Sequence, residues 1–124
     1  YAHAGWANDW KAKGGAHMGV ELGVQSVTSP SPYRRAFLGG KGAEYALLTN
    51  QENPDVRYLS GEDHGYIDLS LTREAAVARF IAVDTVEAPA YKAFEKAAFT
   101  IKKSGGAAQF ADVDGLSVEE RALF

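Results

Sequence analysis

The most regular feature of the chain is an alternation of apolar and polar positions with a period of two, the mark of half-buried β-strands. Residues 65–71 show it most clearly, with Ile67, Leu69 and Leu71 on one face and Tyr66, Asp68 and Ser70 on the other. After the polar turn Thr72-Arg73-Glu74, residues 75–86 alternate again, Val77, Arg79, Ile81 and Val83 against Ala78, Phe80 and Ala82. Two such runs joined by a short polar connection predict an antiparallel hairpin. Propensity alone would allow a helix over 75–82, but the β-branched residues there and in Val83-Asp84-Thr85-Val86 favour a strand. Residues 18–28 read as a further strand, Val20, Leu22 and Val24 alternating with Gly19, Glu21 and Gly23, with a bulge or the strand end near Gln25-Ser26. Short strands are expected over 56–59 and 98–102, the second with Phe99 and Ile101 inward and Gly105-Gly106 ending it. Between them, 89–98 stays open, since Ala90, Phe94 and Ala97 could line one helical face.

The remaining segments lack that period. Residues 1–15 mix Tyr1, His3, Trp6, Asn8, Asp9 and Trp10 with small residues and predict an irregular loop or a short strand end. Ser29-Pro30-Ser31-Pro32 forbids regular structure, because proline restricts the residue before it. Residues 33–50 lean to helix, but Gly39, Gly40 and Gly42 break them into two short helical turns, at about 1 kcal/mol per glycine against alanine. Asn53-Pro54-Asp55 predicts a turn. Residues 107–124 read as a peripheral tail, in which Ser117 and Glu120 have the spacing of a capping box.

Bulk properties narrow the function classes. The 124 residues suit one domain or part of one. Thirteen basic against sixteen acidic residues leave a net charge of −3, without the basic stripe of a dedicated nucleic-acid binder. No apolar run approaches the roughly 18 residues of a membrane span. The absence of cysteine removes disulfides, thiolate metal sites and a cysteine nucleophile.

Chemistry must come from few groups. The three histidines, His3, His17 and His64, make neither an H-x-x-x-H nor an HExxH spacing. A hydrolytic metal site needs several oxygen and nitrogen ligands around one or two cations. This chain can donate one or two of them, not a full set. On position alone, His3 reads as an exposed histidine near a chain end, the alternative being a metal ligand or phosphate contact in a loop. His64 reads as a polar loop residue satisfied by backbone groups, and His17 carries no function. Ser26-Val27-Thr28-Ser29 has no nucleophile elbow around it and reads as strand end and turn. Lys41 among its glycines is no phosphate loop, and Arg34-Arg35 is a solvated helix face. Trp6 and Trp10 are core or interface anchors rather than pocket walls.

The order of three stretches resembles the C-terminal region of the PhoD-type alkaline phosphatases, a family that includes secreted phospholipase D enzymes. His3-Ala4-Gly5-Trp6-Ala7-Asn8-Asp9 is similar to the family's G-D-x-H-[NS]-x-W-A element. Gly19-Val20-Glu21-Leu22-Gly23 through Ser26-Val27-Thr28-Ser29-Pro30 is similar to its V-E-[FL] and S-V-[TS]-S-[PG] strand and turn. Asn53-Pro54, Arg57-Tyr58-Leu59, His64-Gly65-Tyr66, Phe80 and Val83-Asp84-Thr85-Val86 resemble its N-P-H-x-[KR]-[FY] to [VD]-T-V hairpin region. The sequence departs at two places: Tyr1 stands where the Asp of G-D-x-H would fall, and Asp55 stands for the histidine of N-P-H.

The resemblance implies an α/β (α+β) fold: the C-terminal part of a metallophosphoesterase-type sandwich of two sheets flanked by helices, with mostly antiparallel strands in this segment. It implies that residues 1–106 belong to that domain and 107–124 form the tail. It further implies a bimetallic site of Ca²⁺ and Fe³⁺, with most ligands upstream and His3 the metal-proximal residue of this chain. The catalytic residues stay unknown, and no substrate-binding residue is assigned. The expected partner is the N-terminal part of the same enzyme, within one chain or as a second chain, and the expected substrate is a phosphoester. The location implied is periplasmic or extracellular. The break falls inside the metal-binding element at Tyr1, so this chain alone is expected to be inactive. A reading from another class remains open: a non-catalytic, β-rich binding module with Trp6, Trp10 and Tyr33 as its partner surface.

Overall fold

The computed structural model describes residues 2–9, 11, 15–24, 26–29, 55–61 and 63–111. Seven strands follow one another in these residues: β1 (Ala2–Asn8), β2 (His17–Gly23), β3 (Val56–Ser60), β4 (His64–Leu71), β5 (Ala75–Val83), β6 (Ala93–Ser104) and β7 (Ala107–Phe110). They form a three-stranded sheet in the order β2-β1-β3 and a four-stranded sheet in the order β4-β5-β6-β7. Every pairing is antiparallel. The two sheets share one hydrophobic core, which makes the unit a sheet sandwich.

The expected hairpin is present. Leu71 pairs with Ala76 and His64 with Val83 without an irregularity between them. At its turn the Thr72 N–H donates to the Ala75 carbonyl at 2.9 Å, and the Thr72 hydroxyl caps the N–H groups of Glu74 and Ala75. β5 buries Ala78, Phe80 and Ala82 on alternate positions, so the strand reading of this segment holds and the helical one falls. The open stretch before residue 98 is also strand: β6 begins at Ala93, and a bulge at Lys96 resets its register, with Phe80 opposite Ala97 and Ile81 opposite Glu95. That bulge hides the period of two, which is why Ala90, Phe94 and Ala97 simulate a helical spacing.

Two expectations need correction. Residues 2–8, expected as an irregular loop or at most a short strand end, form β1, the central strand of its sheet, paired on both sides. Its core side is Ala2, Ala4 and Trp6, and its other side includes Gly5 and Ala7. Alanine and glycine carry almost no hydropathy contrast, so the alternation is invisible in the residue types. Small residues belong here because the rings of Tyr58, Phe80 and Phe99 fill the space between the sheets, packed at 5.0–5.7 Å between centroids. Second, the stretch after Gly105-Gly106 opens with a strand. Both glycines have positive φ (58° and 90°), as a two-residue hairpin turn requires, and Ser104 pairs with Ala107 across it. β7 then buries Phe110 against Phe99 and Trp6.

No helix occurs among the described residues. The helical turns expected over 33–50, the capping box at Ser117, the turn Asn53-Pro54 and the residues Tyr1, Trp10, Tyr33, Arg34, Arg35 and Lys41 lie outside the described residues.

Candidate functional site

β1 places His3 on the face opposite Ala2 and Ala4, away from the inter-sheet core. There its cross-strand partners are Gly23 on β2 and Leu59 on β3. The site is built around a missing side chain: a Cβ at Gly23 would collide with the His3 imidazole, so the ring lies over the bare backbone of β2. Glu21, two residues earlier on the same face of β2, brings Oε1 to 3.3 Å from His3 Nε2. The His3 side chain is 23% exposed and that of Glu21 67%, so the pair sits at the border between packed protein and water. His3 is therefore neither a free chain-end residue nor a core residue.

Glu21 and Gly23 are the members that sequence reasoning missed. The signal existed in Gly19-Val20-Glu21-Leu22-Gly23, whose alternation turns Glu21 away from Val20 and Leu22. Linking Glu21 to His3 also requires the register of β1 on β2, in which Glu21 stands opposite Gly5 and diagonal to His3. Among the described residues, no group of three or more His, Cys, Asp or Glu side chains is gathered closely enough to hold a metal ion. His3 and Glu21 supply one imidazole nitrogen and one carboxylate oxygen.

The other histidines have structural partners. His64 opens β4 almost fully buried, and its Nδ1–H donates to the Ser26 carbonyl at 2.9 Å, the only role a carbonyl permits. Ser26 in turn accepts the N–H groups of Thr28 and Ser29 on its hydroxyl, at 3.2 and 2.8 Å, so Ser26-Val27-Thr28-Ser29 is a turn, as its residue types suggest. Next to His64 in the chain, Asp63 accepts from Lys96 Nζ at 2.7 Å and from the Ser60 hydroxyl at 3.4 Å. Lys96 is the residue left without a cross-strand partner at the β6 bulge. His17 stacks on Trp6 at 4.3 Å between centroids and lies 2.6 Å from Asn8 Oδ1. Trp6 is packed against the core and meets Phe110 edge-on at 4.9 Å, so it serves as a core anchor rather than as part of an exposed aromatic surface.

The motif order agrees with the comparisons. A family model described as PhoD-like phosphatase matches residues 2–80. No curated protein and no solved structure matches the chain.

Proposed function

The chain belongs to the PhoD-like phosphatase family, and from that membership we propose that it is the C-terminal segment of a metal-dependent phosphoester hydrolase. The observation that carries the proposal is the pair formed by His3 and Glu21 inside the matched region. An imidazole nitrogen and a carboxylate oxygen are a donor set that suits a first-row or alkaline-earth cation. Their 3.3 Å separation is near the ~3 Å between two adjacent ligands of one cation with bonds of about 2.1 Å. Held there, Ca²⁺ and Fe³⁺ would polarise a phosphoryl oxygen and balance the charge of the leaving group.

The chain's own residues do the positioning. The bare backbone of Gly23 gives the His3 ring a floor, and Leu59, buried on the neighbouring strand, stands beside it. Glu21 presents Oε1 beside Nε2 on the open side. Two donor groups do not complete a bimetallic site. The upstream part of the same enzyme supplies the rest, within one chain or as a second one, and the assembled hydrolase works in the periplasm or outside the cell on a phosphomonoester or phosphodiester. The isolated 124 residues then show no metal-dependent turnover of an aryl phosphate or a phosphodiester with Ca²⁺ and Fe³⁺ added. His3→Ala in the complete enzyme lowers kcat by about a hundred-fold or more while the melting temperature moves by a few degrees at most. Robust turnover by the isolated chain, or unchanged turnover in His3→Ala, would refute the assignment.

A further inference from the structure

Among the described residues, β4 is an edge strand of unusual character, and only β5 pairs with it. It is eight residues long, has no bulge against β5, and contains neither lysine nor proline. Proteins commonly blunt such edges with those devices. The other edges are shorter or less regular: β7 has four residues, β3 has five, and the pairing of β2 with β1 shifts register near one end.

The backbone of β4 is also ready to accept a partner at defined positions. The Thr72 N–H bond to the Ala75 carbonyl sets the phase of the ladder. Hydrogen-bonded pairs alternate in an antiparallel ladder, so Ser70, Asp68 and Tyr66 bond toward β5. The N–H and C=O groups of Ile67, Leu69 and Leu71 therefore point away from the sheet. The same three residues carry the apolar side chains of the core-side face, opposite Phe80, Ala78 and Ala76. Beyond the cover of the first sheet, Leu69 is 48% and Leu71 71% exposed.

We infer that β4 pairs with β4 of a second copy of this chain about a two-fold axis at Leu69, joining two four-stranded sheets into one of eight strands. The sequence of β4 is self-complementary in that register. On the core-side face Leu69 meets the partner's Leu69, and Ile67 meets the partner's Leu71. On the other face Asp68 meets the partner's Ser70, and Tyr66 meets the partner's Thr72. The three hydrogen-bonded pairs fall on Ile67, Leu69 and Leu71, whose backbone groups face outward. Moving the axis to Asp68 would set two carboxylates face to face, which is unfavourable. Moving it to Ile67 would set Leu71 opposite the partner's Asp63, outside the strand. Such an interface is isologous and closes at two copies.

Sedimentation velocity on the 124-residue chain over a wide concentration range tests this. The wild-type chain shifts from one copy to two as concentration rises. Leu69→Lys and Leu69→Glu each stay monomeric, because each sets like charges at the axis, and an equimolar mixture of the two associates again. Ser70→Lys tightens association roughly two- to thirty-fold, the effect of two new cross-strand pairs with Asp68. A wild-type chain that stays monomeric throughout overturns the proposal. So does association that survives in both Leu69 variants, or a mixture that remains monomeric. Since a lysine on a bare edge ordinarily opposes pairing, weaker association of Ser70→Lys overturns the register even if the Leu69 variants fail to fold.

Discussion

At the scale of single residues, the candidate site depends on an absence. Gly23 has no substitute with a side chain, because the His3 imidazole occupies the space a Cβ would need. Gly23→Ala therefore forces the ring off β2 and away from Glu21. The expected outcome in the complete enzyme is a fall in kcat of at least about ten-fold, with a destabilisation of roughly 1–3 kcal/mol from the overpacked strand pair. Steady-state kinetics and urea denaturation measure the two effects separately. An alanine variant with wild-type kcat would show that the placement of His3 over Gly23 has no catalytic consequence. His3 was singled out in the sequence by the motif that contains it. Glu21 and Gly23 were not, because their relation to His3 runs across strands and depends on a register that no local pattern encodes. His64 was legible as a polar residue satisfied by a backbone group, but not as a buried strand residue, and its partner Ser26 lies far away along the chain.

At the scale of elements, strands with bulky inward residues were readable and strands with small ones were not. The hairpin of β4 and β5 announces itself through Ile67, Phe80 and their neighbours, whereas β1 hides because its inward positions include Ala2 and Ala4. β6 was half readable: Phe99 and Ile101 mark its inward face, but the bulge at Lys96 breaks the count before them. β7 was missed because only Phe110 of its four residues is a bulky apolar side chain. That ring nevertheless bridges Phe99 to Trp6, tying the far edge of one sheet to the central strand of the other. Phe110→Ala is expected to destabilise the chain by about 3–5 kcal/mol, as truncation of a buried aromatic does. Gln109→Ala, on the opposite face of β7, is expected to change stability by no more than ~0.5 kcal/mol. Denaturant midpoints of the two variants check this, and equal effects would mean that β7 contributes only by its backbone pairing.

At the scale of the whole molecule, the matched family region ends at Phe80, inside β5, yet the sheet containing β5 continues through β6 to β7. Phe80 is buried against Phe99, which lies beyond that limit, so the folding unit is larger than the matched region. The two-sheet architecture was legible from the alternation and from the family motifs together. Which strands lie in which sheet was not, since periodicity reports a strand's faces and not its neighbours. The arrangement has a kinetic corollary. One sheet is a simple meander in which every strand pairs with the next in sequence. The other brings Ala2 against Ser60, and that contact closes a long loop before any pairing repays the lost chain entropy. Local contacts form faster than distant ones. In pulsed hydrogen exchange during refolding, amides of β5 and β6 should gain protection before those of β3, which waits for the closure of Ala2 onto Ser60. Simultaneous protection in both sheets would instead mean that the meander has no autonomy and that both layers condense in a single event.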